Sequence, residues 1–202
     1  MRKLAIAAVI SGLIAAAFGY YYFLYPPSIL KHSTQKALED FSLSVATKDR
    51  AKIGVVLGTF LTPAAQIHLE VGFFSLAQLN VGKALVQEFD RPAFITFIDN
   101  TLYSLQDWGF ETQLDSFNLS RDRKTAELTF TSQEWADGLS YYAGTSVNMR
   151  FSADTLCDGT VVFEGTKPTL DKANCRMQLR SIPKPGQEQK LQSPEVLKEL
   201  LR

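Results

Sequence analysis

Leu4 to Tyr25 is an unbroken run of 22 residues with no charge, no Asn, no Gln and no Pro, preceded by Arg2 and Lys3 and closed by Pro26 and Pro27. Such a run has to be withdrawn from water. As a helix rising 1.5 Å per residue it reaches roughly 33 Å, enough for the roughly 30 Å hydrocarbon layer of a bilayer. The rival reading is a cleaved secretory signal with Ala15-Ala16-Ala17 as its small-residue cleavage site. Cleavage there would leave Phe18-Gly19-Tyr20-Tyr21-Tyr22-Phe23-Leu24-Tyr25 as an exposed aromatic tail, whereas an anchor places those Tyr rings where hydrocarbon meets headgroups. The expectation is a single span over residues 4–25 embedded in the lipid bilayer. Residues 1–3 are then cytoplasmic and everything after the span lies in the periplasm or outside the cell.

Charge adds an exclusion. The chain has 21 basic and 21 acidic side chains, and without Arg2 and Lys3 the exported part is near neutral, about −2. It has no basic field to attract nucleic acid. Cys157 and Cys175 are the two cysteines; in an oxidising compartment an even pair is expected to form a disulfide. Two thiolates without nearby His make a poor zinc site, so no metal and no cofactor is expected.

The remaining chain divides into a linker at 26–32, one domain at 33–182, and a tail at 183–202. Ser33 or Thr34 is expected to cap a first helix carrying Leu38, Phe41 and Val45, and Thr47 a second one that ends before Pro63. From Ile67 the period is two, with Ile67, Leu69, Val71 and Phe73 on one face and His68, Glu70 and Gly72 on the other. Ala77 to Gln87 has no clear period. Asp90 then caps a long helix with Pro92 in its first turn and an apolar stripe reaching Trp108, with Gly109 as its stop.

Strands follow. Phe110 to Leu119 turns at Ser120-Arg121-Asp122-Arg123-Lys124 into a strand with Ala126, Leu128 and Phe130 on one side. Asp137-Gly138 reads as a further turn. Between Thr155 and Lys172 two paths are open: Asp158-Gly159 as a tight turn, or a turn near Thr166 that sets residues 157 and 175 opposite each other, which is preferred. After Pro183-Lys184-Pro185-Gly186 a polar linker leads to a short amphipathic helix capped by Ser193, with Val196, Leu197, Leu200 and Leu201 on one side.

Phe60-Leu61-Thr62-Pro63-Ala64-Ala65-Gln66-Ile67-His68 and the helix-to-hairpin run from Asp90 to Phe130 carry a resemblance to the nuclear transport factor 2-like superfamily. That superfamily is a cone-shaped α+β fold shared by polyketide cyclases, ketosteroid isomerases and many binding domains. The resemblance covers roughly Ser33 to Ile182 and implies a curved antiparallel sheet wrapped around a long helix. A span followed by such a domain is also similar to the inner-membrane assembly proteins of type IV secretion systems, which carry a longer cytoplasmic segment before the span.

Two functions follow from this. The first is a membrane-anchored extracytoplasmic binding or assembly module without catalysis, in a bacterial cell-envelope complex, meeting a protein partner or a second copy. Its interface candidates are His68, Glu70, Leu197, Leu200 and Leu201. The alternative is a pocket protein that binds a small apolar ligand, or an isomerase or cyclase, with Tyr103, Tyr141 and Tyr142 as pocket candidates. Asp99 and Asp115 are acids by type only; Asp99 lies on a helix surface and Asp115 shares a wet face with Glu111 and Gln113. No phosphate loop, His/Cys cluster or nucleophile elbow supports a hydrolase or a phosphoryl transferase.

Overall fold

A computed structural model describes residues 27–74, 84–142 and 145–191. The apolar run at 4–25 and the tail with Leu197, Leu200 and Leu201 lie outside the described residues. No helix among the described residues is long and apolar enough to cross a membrane.

Helix α1 (Pro27–Ala46) starts at a proline, whose fixed φ suits a first helical turn. The expected linker at 26–32 is thus largely helix, and Ser33 and Thr34 do not cap it. Their hydroxyls donate backward, to the carbonyls of Ile29 at 2.6 Å and Leu30 at 2.9 Å. Helix α2 (Arg50–Phe60) is capped by Asp49, whose carboxylate accepts from the Lys52 N–H, rather than by Thr47. Strand β1 (Leu61–Phe74) begins at once, and its irregular pairing between Leu61 and Gln66 accommodates Pro63, which has no N–H to give the ladder.

Strand β2 (Leu85–Asp90) occupies the end of the stretch that showed no period, and pairs antiparallel with β1. Asp90 caps α3 (Arg91–Ser104) by accepting from the Ala93 N–H at 2.9 Å, as its sequence predicts. The helix stops four residues short of Trp108, because Gln106 N donates to the Asp137 carbonyl and draws the chain into β3 (Asp107–Leu119). Gly109 is a strand residue. A Cβ there would collide with the Trp135 indole, so the glycine exists to let that ring lie down.

Strands β4 (Thr125–Tyr142), β5 (Thr145–Glu164) and β6 (Lys167–Pro183) are long and antiparallel. Asp137-Gly138 lies inside β4 and Asp158-Gly159 inside β5, so neither is a turn. The β5–β6 turn falls at Gly165-Thr166, where Gly165 takes φ +64°. That register sets Cys157 opposite Cys175, and the two form a disulfide. A four-residue helix, α4 (Glu188–Leu191), stands where polar linker was expected.

The result is an α+β fold with a curved six-stranded sheet in the order β2-β1-β6-β5-β4-β3. One correction matters: β1 joins β6 in parallel, so the sheet is mixed rather than wholly antiparallel. The helices cover one face. Leu30, Leu38, Ile53, Leu57 and Phe60 pack there with Ile67, Leu69, Leu128, Val161, Leu170 and the disulfide. Each such side chain contributes roughly 1.5–3 kcal/mol by leaving water. Three contacts fix α1 on the sheet: Trp108 Nε1 donates to the Val45 carbonyl, Ser42 Oγ to the Phe110 carbonyl, and Thr112 Oγ1 to the Leu38 carbonyl. The helix therefore runs antiparallel to β3, with Pro27 toward the β3–β4 turn.

Candidate functional site

The helix-facing side of β3, β4 and β5 carries an apolar period that is broken once. Ala126, Leu128 and Phe130 are followed in the same register by Ser132 and Glu134. Ser132 pairs with Thr112 on one side and Thr155 on the other, and Glu134 with Phe110 and Ala153. Glu134 Oε1 accepts from Ser132 Oγ at 2.8 Å and from Thr155 Oγ1 at 3.2 Å. Burial pushes this carboxyl above its ordinary range, and the two hydroxyls pull it partly back. It is an acid inside the domain whose charged form is disfavoured by its surroundings.

The opposite face of the sheet turns outward and holds a different assembly. The Asp137 side chain is only 6% exposed although it points away from the helices. Arg150 donates to it through Nε at 2.9 Å and Nη2 at 3.1 Å, and Lys184 Nζ approaches at 2.7 Å. The Arg150 guanidinium holds this carboxyl down to about 2, against the opposing effect of desolvation and with help from Lys184. The same guanidinium stands 5.0 Å from the centre of the Trp135 ring. Gly109 below and Arg150 beside it fix the indole, so an aromatic and a cation are held in place on the sheet surface. Leu139 and Ile182, 45% and 55% exposed, flank this group.

Next to it the outward face forms a groove of about 490 Å³ lined by Glu111, Gln113, Thr131, Gln133, Asp154 and Gln178, among others. A second, shallow groove lies between β2 and α3, along Phe89, Thr96 and Phe97. The first of these grooves also reaches Thr112, Ser132 and Thr155, the hydroxyl residues beside Glu134.

The residues singled out in the sequence are scattered. Tyr103 is 77% exposed on α3 and lines neither groove; the Arg50 guanidinium lies 4.9 Å from its ring centre. Arg50 also grips Asp99 through two hydrogen bonds of 2.7 and 2.6 Å, which lowers the Asp99 carboxyl and explains that acid structurally. Tyr141 and Tyr142 end β4, and their side chains lie outside the described residues. His68 pairs with Glu88 across the β1–β2 ladder, and Glu70 stands opposite Val86. Asp115 is exposed beside Thr131. Glu134, Trp135, Asp137, Arg150 and Lys184 were missed, although the break in period at Ser132 and Glu134 was visible. Among the described residues no group of His, Cys, Asp or Glu could hold a metal ion.

No protein-family model and no curated protein matches this chain. Solved structures similar to it include the hexachlorocyclohexane dehydrochlorinase LinA-type3 of Novosphingobium barchaimii LL02, at 10% identity over 77% of this chain and 90% of that one, with a TM-score of 0.49. Another is an NTF-2-like protein of unknown function from Silicibacter pomeroyi DSS-3, at 16% identity over 76% and 99%, TM-score 0.44. A domain of unknown function with a cystatin-like fold from Nostoc punctiforme PCC 73102 matches at 10% identity over 85% and 91%, TM-score 0.44.

Proposed function

We propose that this chain is a membrane-anchored binding or assembly module of a bacterial cell envelope. In this reading residues 4–25 hold it in the bilayer and the outward sheet face meets a protein partner. The observation that carries the reading is the fixed Trp135–Arg150 pair on an open sheet, flanked by exposed Leu139 and Ile182. Trp and Arg are the residue types that dominate binding energy at interfaces, and side chains already held in place lose less freedom when a partner arrives. A second copy of the chain fits as that partner, because the face offers both signs of charge, Arg150, Arg180 and Lys184 beside Asp137 and Asp154. The test is sedimentation of the full chain in mild detergent, wild type against Ile182→Glu. Association that the variant abolishes, with its unfolding midpoint unchanged, is the expected result; a wild type that sediments as a strict monomer and captures no envelope protein ends the reading.

One observation favours the pocket alternative: Glu134 is a buried acid with two hydroxyl partners, the kind of group an isomerase or cyclase uses for proton transfer. Under that reading small apolar ligands bind the full chain, and Glu134→Gln abolishes turnover while leaving the fold intact. Equal ligand response from the wild type and the variant would remove it.

A further inference from the structure

Two turns distant in sequence meet at one end of the sheet. The β3–β4 turn carries Arg121, Asp122, Arg123 and Lys124, and the β5–β6 turn is flanked by Glu164 and Lys167; Phe163 N donates to the Lys124 carbonyl at 2.8 Å and ties them together. All of these side chains are exposed except Arg123, which is half-exposed. Asp122 is turned inward on its own loop, accepting from Ser120 Oγ at 2.6 Å and from the Lys124 N–H at 3.1 Å. Lys31, exposed on the first turns of α1, points its helix at the same end. Five basic residues there face two acids, while the exported part as a whole is slightly acidic. Among the described residues Lys31, Arg121, Lys124 and Lys167 make no ion pair.

The direction of α1 gives this tip a meaning. Val45 lies over Trp108 and Leu38 over Thr112, so the helix climbs β3 backward and Pro27 faces the tip. The chain immediately before Pro27 is the apolar run. We infer that the tip of Lys31, Arg121, Arg123, Lys124 and Lys167 lies against the anionic headgroups of the membrane that holds the anchor. This deepens the anchored reading and rests on it. Juxtamembrane cations are attracted to an anionic surface, and the attraction fades within a Debye length, about 8 Å at physiological salt. The rest of the domain is therefore left to stand away from the lipid, with the β4–β5 hairpin, Lys184 and Lys190 at the far end.

The test is lysine acylation of the full chain in vesicles, read residue by residue by mass spectrometry. In phosphatidylglycerol–phosphatidylethanolamine vesicles Lys124 and Lys167 should react about threefold or more slowly than in phosphatidylcholine vesicles. High salt should restore them, and Lys184 and Lys190 should be indifferent to the lipid. Equal reactivity of Lys124 and Lys167 in the two membranes overturns the tip contact while leaving the anchor intact. A chain that floats with neither vesicle ends the anchor reading, and this one with it. Arg121→Glu together with Lys167→Glu should abolish the lipid dependence while the chain still floats.

Discussion

Asp137→Asn tests the organisation of the outward face, because it removes one charge and almost no volume. The wild-type carboxylate accepts from Arg150 at 2.9 and 3.1 Å and from Lys184 at 2.7 Å. Taking a carboxyl from its ordinary 3.8 to about 2 corresponds to roughly 2.4 kcal/mol at 1.36 kcal/mol per tenfold change. That figure is an upper bound: Asp137 is covered by two cationic side chains that are themselves 50% and 36% exposed, so water and salt screen part of it. A loss of about 1–2 kcal/mol at pH 7 is expected. The folded value is depressed, so the contribution is complete above the unfolded value near 4 and disappears as pH falls through about 2. Urea unfolding of the full chain in mild detergent, followed by circular dichroism at pH 7 and near pH 2, measures both ends. A variant as stable as the wild type at pH 7, or a gap that persists unchanged in acid, would refute the reasoning.

Other outcomes follow from the same geometry. Gly109→Ala should cost about 1–3 kcal/mol by pushing the Trp135 ring off its bed, and tryptophan fluorescence should report the displaced indole. Replacing Cys157 and Cys175 together by Ser should cost about 3 kcal/mol, since a bridge across a sequence separation of 18 restricts the unfolded chain; the urea midpoint reads this directly. Glu134→Gln should stabilise the domain at neutral pH, because burial in the wild type disfavours the charged form that the carboxyl takes freely in the unfolded chain. The raised folded value means that the wild type regains this stability as pH falls, so the gap should close below the ordinary carboxyl range.

Local chemistry was the legible part of this fold. Asp90 and Pro92 announce α3, the polar turn at 120–124 announces the β3–β4 hairpin, and the cysteine spacing selects the turn near Thr166 over Asp158-Gly159. What escaped depended on partners far away in sequence. The parallel β1–β6 pairing is set by a registry across more than a hundred residues, which no local period encodes. Asp137-Gly138 carries turn chemistry, yet Arg150 and Lys184 neutralise the acid and β4 runs straight through. Gly109 reads as a helix stop until the ring that needs its missing Cβ is known. The outward site was invisible for the same reason: Trp135 and Asp137 come from β4, Arg150 from β5 and Lys184 from just past the end of β6, and only the sheet brings them together. Glu134 was readable, since it continues the register of Leu128 and Phe130.

If the outward sheet face is a docking surface, photocrosslinking in the cell's own membranes will trap whatever docks there. A photoreactive residue placed at Leu139 or Ile182 should yield one discrete protein adduct. The same residue at Val55, 66% exposed on α2 on the helix-covered side, should yield none. Adducts from Val55 alone, or from no position, would mean that no partner docks on this face.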